Sequence, residues 1–405
     1  MSDVLIKDVK VFVTAPRFQN LVVVKIETSV PGLVGYGCST FAWRYSAVVK
    51  AIEDYLVPIV KGRKVDDIED LWQTMKGCSY WRNGPVLNNA ISGIDEALWD
   101  IKGKMAGLPL YSLLGGRSRT GVAVYRHADG NSIDEVEKQI QSYVDAGYRY
   151  IRCQMGTYGG NFDGTRQAIV APKGSCNGAY YDVGMYMRSV PELFRHIRED
   201  FGDSLELLHD IHERLVPVDA LNLVKKLEEF NLFFVEDALS PSNGRYFRYL
   251  REQTTARIAM GELFSNQTEW QTLVENQWID FVRFHISDIG GLTPAIKIAH
   301  FCDFYGVRTA WHGPSDLSPV GMTAQLHLDM NIHNFGIQEF SGFSDEEKEV
   351  FEGCPEYGND GYVYLSEKPG IGIEFNEKAA SKYPAVAMDD WWLFSRISDG
   401  TSVRP

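Results

Sequence analysis

Leu207-Leu208-His209-Asp210, Phe234-Val235-Glu236 and Ala259-Met260-Gly261-Glu262 are three short apolar runs that each close on a carboxylate. Asp210, Glu236 and Glu262 are equally spaced, 26 residues from the first to the second and 26 from the second to the third. That interval fits one strand, one helix and two short connections, so the repeat predicts parallel strands joined by helical crossovers. It also predicts three carboxylates side by side at the strands' C-terminal ends, where barrels of this kind carry their active sites.

Outward from these runs the same texture continues. Eight short strands are predicted at Val122–His127, Tyr148–Gln154, Leu205–Asp210, Leu232–Glu236, Arg257–Glu262, Ile279–His285, Val307–His312 and Phe335–Phe340. Amphipathic helices lie between many of them. Ser132 with Glu135 and Ser189 with Glu192 read as capping boxes, and Thr293-Pro294 as an N-cap followed by proline at N1. Gly147, Gly202 and Gly306 stand where helices should stop. The fold class predicted is α/β, a (β/α) barrel of modified TIM type over residues 119–368.

Residues 1–118 read as an α+β capping domain. Val9–Val13 and Leu21–Glu27 are rich in β-branched residues, and a glycine-rich turn is expected over Pro31–Gly37. Leu87–Lys104 is the clearest helix, with Ile91, Ile94, Leu98 and Ile101 at spacings of three and four, and Gly115-Gly116 then marks a boundary. Residues 369–405, with the cluster Trp391-Trp392-Leu393-Phe394, are expected to pack back on the body. The connection from Met155 to Arg188 has no helical period but is rich in glycine and tyrosine, which predicts a lid.

Composition narrows the partners. Lys+Arg 40 against Asp+Glu 54 gives 405 residues a net charge of −14, which argues against nucleic acid and anionic membrane. Six cysteines without a C-x-x-C pair read as reduced thiols. With no signal-peptide layout and no apolar run of about 18 residues, a cytoplasmic protein is expected.

Three carboxylates held close repel one another unless a cation joins them. Oxygen ligands from separate strands suit Mg²⁺. His212, two residues past Asp210, shares its face if the strand persists, and is then a metal ligand, a general acid or base, or a surface residue. The run His209-Asp210-Ile211-His212-Glu213 admits a zinc alternative, although H-E-x-x-H is absent. Arg283, on the sixth strand with His285, needs a carboxylate from the protein or from a ligand. His312 precedes the rigid turn Gly313-Pro314. His127 ends the first strand, either to bond a ligand hydroxyl or as a satisfied core residue. Tyr158 serves as a base only beside a cation such as Arg152, and Tyr180 and Tyr181 are its rivals.

The stretches YWRNGPVLNNAISGIDEALWDIKGKMAGLPLYSLLGG, VYRHADG, LLHDIHER, FFVEDALSP, MGELF, SDIGGLTPAIKIAH, WHGPSDLSPVGM, NFGIQEF and PGIGIEF together resemble the enolase superfamily. More narrowly they resemble the mannonate dehydratase family, including its galactonate dehydratase-like, low-activity members. The resemblance implies Mg²⁺ on Asp210, Glu236 and Glu262, with Glu262 also meeting the substrate. It implies Tyr158 with Arg152 as the base and His212 as the acid. His127, Arg283, His312, Asp316 and Glu339 would contact a small sugar acid, which loses water to a 2-keto-3-deoxy acid, and the protein would be a homo-oligomer. The second strand reads Ile151-Arg152-Cys153-Gln154, without the Lys-x-Lys base of racemase relatives. Ala42 stands near the substrate-binding Asn of efficient mannonate dehydratases, and Pro314 where those have Ala. D-mannonate and D-gluconate are therefore the first expected substrates, with weak or absent mannonate turnover. The alternative is a divergent member with a complete metal site that binds or senses sugar acids.

Overall fold

A meander of three antiparallel strands begins the chain, β1 (Ile6–Thr14), β2 (Leu21–Thr28) and β3 (Val34–Cys38). The computed structural model describes residues 3–78, 80–156, 172–176, 178–387 and 394–404. The segment expected as a glycine-rich turn is largely β3, and its glycines answer a different need. The helix Pro85–Ala106 crosses β3 so closely that a Cβ on Gly37 would lie 2.0 Å from the Gly93 carbonyl oxygen. One on Gly35 would lie 2.2 Å from the Ala97 oxygen. Only glycine permits that approach. The same helix buries Ile91, Ile94, Leu98 and Ile101 in the cap's core and stops at Gly107, φ +68°.

The barrel follows. Its strands are β4 (Val122–Gly130), β5 (Tyr150–Met155), then after a short outlying β6 (Ala179–Tyr181), β7 (Glu206–Asp210), β8 (Phe234–Glu236), β9 (Ile258–Met260), β10 (Phe281–Val282), β11 (Arg308–Thr309) and β12 (Gln338–Glu339). Apart from β6 they pair in parallel in the order β11-β10-β9-β8-β7-β5-β4, and β12 pairs with β4. The Gly336 N–H donates to the Thr309 carbonyl at 2.8 Å, so the ring closes between β11 and the chain entering β12. Tyr125, Leu208, Phe234, Phe281, Ala310 and Ile337 fill its interior. All eight predicted barrel strands are present. Among the described residues no helix is long and apolar enough to cross a membrane.

Several helix signals resolve differently. The box expected at Ser132 is incomplete, because the Glu135 carboxylate accepts from the Asn131 N–H, but Ser132 caps its helix, accepting from the Glu135 N–H at 3.3 Å. Ser189 does not, because that helix spans Val183–Phe201 and is capped by Asp182, whose carboxylate accepts from the Met185 N–H. The helix Leu292–Phe304 has Gly291 as its N-cap, and Thr293 lies inside it. The stops at Gly147, Gly202 and Gly306 hold, with φ of +88°, +64° and +69°. Within the connection expected to be a lid, β6 pairs with Ser395–Ile397 near the C-terminus, and residues 157–171 and 177 lie outside the described ones. So do Trp391, Trp392 and Leu393 of the aromatic cluster.

The helix Pro85–Ala106 is tied to the barrel by buried Asp95 and to β3 of the cap by buried Glu96. Asp95 accepts from the Thr293 N–H at 2.8 Å and from its hydroxyl, at the start of a barrel helix. Glu96 accepts from the Cys38 N–H at 2.8 Å and from the Ser92 hydroxyl at 3.2 Å. Burial pushes Asp95 up to about 7 and, with Asp95 beside it, Glu96 up to about 8. The folded chain therefore holds protons here that the unfolded chain has released. Stability must fall as pH rises from the ordinary 4.5 of Glu96 through about 8. At about 1.4 kcal/mol per pH unit this is worth a few kcal/mol. In Glu96→Gln the amide oxygen can still accept from Cys38 and its NH₂ can donate to Ser92. The variant is expected to unfold at higher urea than the parent at pH 8.5, the gap closing towards pH 5. A variant less stable at both pH values would disprove this account.

Candidate active site

Asp210 is the last residue of β7 and is fully buried. Arg152 on β5 donates to its Oδ2 at 3.1 Å, and the His212 N–H donates to its Oδ1 at 2.6 Å. Burial pushes this carboxyl up, but His212, Arg152 and Arg283 outweigh it and hold it below the usual range. The strand does not continue to His212. His212 and Glu213 take left-handed conformations, φ +56° and +51°, because the chain turns to follow β8, and the Ile211 N–H donates to the Glu236 carbonyl. The turn, and not strand alternation, aims His212 at the site, its Nε2 4.0 Å from Glu262 Oε1.

His209 faces the other way. Its Nδ1 lies 3.0 Å from the Cys153 carbonyl, so it carries the proton, and Nε2 accepts from the Tyr186 hydroxyl at 2.9 Å. Burial lowers its pKa to about 4, leaving a neutral ring packed behind β7. The two histidines of the HDIHE run share no face, which removes the basis of the zinc alternative.

Asp210 and Glu236 converge, and a residue missed in the sequence, Asp237, joins them. One oxygen from each of the three lies within 4.8 Å of the others, all buried. Asp237 sits at φ +42°, where a residue following a strand would otherwise point to the opposite face. Burial raises Glu236 to about 8 and, with Glu236, Asp210 and Glu262 nearby, lifts Asp237 well above the carboxylate range. Glu236 Oε2 and Asp237 Oδ1 have no hydrogen-bond partner among the described residues. Buried, crowded, unpaired carboxylate oxygens fit a hard divalent cation.

Glu262 lies two residues beyond β9 and outside that group. Its carboxylate is 3.4 Å from His312 Nδ1, at the more open edge of the site. Gly261 makes the turn at φ +147°, where a Cβ would meet the Arg283 backbone at 2.8 Å.

Arg283 is wholly buried. It pairs through Nε with Glu236 Oε1 and through Nη2 with Glu339 Oε2, the latter at 2.8 Å. Glu339 also lies 2.5 Å from His127 Nε2 and accepts from the Gly313 N–H at 3.0 Å. Burial pushes Glu339 up, but Arg283, His312 and His127 hold it well below the usual range. His312 is raised well above an ordinary imidazole, because Glu262, Asp316 and Glu339 outweigh its burial. It therefore stands as an imidazolium, its Nε2 3.4 Å from Asp316.

The cap closes this mouth. Ala42 and Trp43, in the short turn Ala42–Arg44, line a cavity of about 280 Å³ together with His212, Glu262, His312 and Asp316. A connected cavity of about 230 Å³ adds Gln19, His127, Arg152, Pro314 and Glu339. Every site residue predicted from sequence thus gathers here except Tyr158, which lies outside the described residues. Its rivals are engaged locally: the Tyr180 hydroxyl donates to the Cys176 carbonyl and that of Tyr181 to the Arg214 carbonyl, each at 2.7 Å.

Known proteins share this architecture. Residues 3–115 match the mandelate racemase / muconate lactonizing enzyme N-terminal domain, and residues 135–379 match the enolase C-terminal domain-like family. A D-galactonate dehydratase family member of Enterocloster bolteae is 64% identical over 405 residues, covering 100% of both chains. The D-galactonate dehydratase family member RspA of Pantoea ananatis is 49% identical, again with 100% of both chains covered. A crystal structure of an enolase from Pantoea ananatis, with bound D-gluconate and Mg, superposes with a TM-score of 0.96 at 49% identity over 100% of both chains. The two dehydratase relatives carry the galactonate name, which the sequence resemblance gave as a branch of the mannonate dehydratase family, and neither carries the mannonate name.

Proposed function

Since the chain belongs to the enolase superfamily and, within it, to the D-galactonate dehydratase family, we propose that it is a Mg²⁺-dependent hydro-lyase that dehydrates a six-carbon sugar acid. D-Gluconate is the first substrate of this reading and D-mannonate the second, both giving 2-keto-3-deoxy-D-gluconate. The observation that carries it is the buried group of Asp210, Glu236 and Asp237, whose Asp210 accepts from Arg152 and from the His212 N–H, two residues that wall the cavity together with Glu262. The D-gluconate and Mg of the Pantoea ananatis enolase support the choice of ligand and metal.

In this reading Asp210, Glu236 and Glu262 would hold Mg²⁺, with Asp237 standing beside Asp210 and Glu236. Bound Mg²⁺ supplies positive charge to the substrate carboxylate, which lowers the cost of removing the C2 proton. Tyr158, assisted by Arg152, takes that proton. His212 gives a proton to the C3 hydroxyl as its C–O bond breaks, so the oxygen leaves as water. The resulting enol tautomerises to the 2-keto acid. The His127–Glu339 pair, the His312–Asp316 pair and Arg283 fix the hydroxyls and the carboxylate. Residues 1–118 serve as cap, 119–368 as barrel and 369–405 as a closing segment. A cytoplasmic homo-oligomer completes the proposal.

The test is a 2-keto-3-deoxy acid assay over a panel of sugar acids, with and without Mg²⁺. No product from any acid at high enzyme loading would refute the dehydratase, and tight binding without turnover would favour a sensor. Ala42, unable to make the Asn hydrogen bond of efficient mannonate dehydratases, leads us to expect slower turnover of mannonate than of gluconate. His212→Asn should bind Mg²⁺ as the parent does and lose elimination by about 10²–10⁴-fold, the usual worth of a positioned acid. Exchange of the C2 proton in D₂O should survive in it. Loss of metal from that variant would show His212 to be a ligand instead.

A further inference from the structure

The reaction described above occupies the C-terminal ends of the barrel strands and leaves the opposite mouth without a role. There the residues that start the strands face one another. Tyr150 opens β5 and Glu206 opens β7, Phe233 and Arg257 stand just before β8 and β9, Asp280 just before β10, and Arg308 opens β11. A cavity of about 340 Å³ lies among them, lined by Glu206, Arg257, Asp280 and Arg308 together with Phe233 and Phe281. The aromatic part is well packed. Phe233 and Phe281 are buried with ring centroids 5.2 Å apart, and Tyr150 meets Phe233 edge-on at 5.0 Å.

The charges at this mouth do not balance. Asp280 is engaged by Arg251, with which it pairs, and by the Ile258 N–H, which donates to it at 2.8 Å. Glu206 has Arg149 3.5 Å away. Arg257 and Arg308 make no ion pair among the described residues, in a chain whose acids outnumber Lys and Arg by 54 to 40. Backbone carbonyls hold them instead. Arg257 donates through Nη1 to the Leu232 carbonyl at 3.4 Å, and Arg308 through Nε and Nη2 to the Phe335 carbonyl at 3.2 and 3.0 Å. Nε and Nη2 of Arg257 and Nη1 of Arg308 have no acceptor among the described residues. The Arg308 guanidinium also lies 5.5 Å from the Phe281 ring centroid, which fixes its plane. Desolvation pulls Arg308 below its ordinary value, and Arg257 adds to the fall while Tyr150 opposes it. Two like charges on one cavity, positioned by neutral carbonyls, repel each other until an anion joins them.

We propose that this mouth is a binding site for a small phosphomonoester, its dianionic phosphate held between Arg257 and Arg308 and its organic part against Phe233 and Phe281. Planar guanidinium forks match phosphate oxygens two at a time, and the cavity is roomier than a bare phosphate needs. The net charge of −14 disfavours an extended polyanion at the same place. Sited at the strand ends remote from Asp210 and Glu236, the ligand takes no part in the chemistry and stabilises the barrel by binding its folded state.

The experiment is calorimetric binding, in Mg²⁺ and at an ionic strength held constant with chloride, of D-glucose 6-phosphate, inorganic phosphate and D-glucose. The proteins are the parent, Arg257→Gln, Arg308→Gln and Glu236→Gln. The parent should bind D-glucose 6-phosphate more tightly than phosphate and should not bind D-glucose. Arg257→Gln and Arg308→Gln should each weaken both phosphates about 10-fold or more, the loss of a charged hydrogen-bonding partner. Glu236→Gln, changed at the opposite end of the barrel, should bind both as the parent does. Melting in chloride alone reports whether Arg308→Gln folds, and Arg257→Gln, which gives up a single bond of 3.4 Å, carries the test if it does not. No binding by the parent, or parent-like affinity in the folded arginine variants, overturns the site. A loss in Glu236→Gln overturns it too, by placing the phosphate on the metal. Equal affinity for phosphate and its ester overturns the ester.

Discussion

Glu236→Gln is expected to abolish magnesium dependence while leaving the chain folded. Glu236 is fully buried, and burial holds it at about 8, so in the metal-free protein its charge opposes folding. Glutamine keeps the shape and removes that load. Arg283 keeps its bond to Glu339 at 2.8 Å, so no buried cation is stranded. What disappears is one anionic oxygen of the proposed ligand set. Since outer-shell changes alone cost about 10–100-fold in metal affinity, a ligand should cost at least about 100-fold. Turnover should fall about 10³-fold or more, because the metal's charge stabilisation is worth several kcal/mol. The cleanest measurement is the melting temperature with and without Mg²⁺. A ligand that binds only the folded state raises it. The parent should show this rise and the variant should not, at similar metal-free stability. An unchanged rise in Glu236→Gln would remove Glu236 from the metal site.

How much of this was legible beforehand follows from what each residue's position depends on. The barrel and the adjacency of Asp210 and Glu236 were legible because strand order repeats the chain order, so equal spacing along the sequence becomes adjacency in space, whereas Glu262, two residues past β9, lies outside their group. Asp237 was not, because strand alternation turns it away from Glu236 and only the left-handed residue that ends β8 brings it back. The adjacent acids in Phe234-Val235-Glu236-Asp237 were the available signal. His212 was assigned to the right face for the wrong reason, a strand that in fact stops at Asp210. Ser189 was misjudged as a cap because Asp182 offers an equally good carboxylate earlier in the chain. Gly35 and Gly37 looked like turn residues because nothing local reveals that Ala97 and Gly93 press against them. Arg283 was recognised as needing an acid. Its partners, Glu236 on β8 and Glu339 on β12, are remote in sequence, Glu339 by 56 residues, and only the closed ring brings them to it.

Arg283→Met is expected to be the most destabilising change in the site. The guanidinium is wholly buried, pairs with two buried carboxylates and donates to the Ala310 carbonyl at 3.2 Å. Burying these charges costs free energy that their mutual attraction offsets, so the net worth of the cluster is modest. Removing the cation alone is a different matter, because Glu236 and Glu339 then stay in place without it. Such a loss typically costs about 3–5 kcal/mol, which the urea unfolding midpoint at pH 7.5 should register. The pH dependence carries the sign. In the parent, Glu339 lies well below 4.5 because Arg283, His312 and His127 outweigh its burial, so its contribution is present above 4.5 and lost as pH falls. Without Arg283, burial gains the upper hand, the folded chain holds its proton more tightly, and acidification to pH 5.5 should recover part of the loss. Two comparisons separate this from a simple packing defect. Adding Glu339→Gln to Arg283→Met should restore stability, since one stranded acid is gone, whereas a cavity would remain. Mg²⁺ should stabilise Arg283→Met more than it stabilises the parent, because Glu236 has lost its other cation. If the double variant is weaker than Arg283→Met, and Mg²⁺ helps both proteins equally, Arg283 serves packing and not the charge of the site.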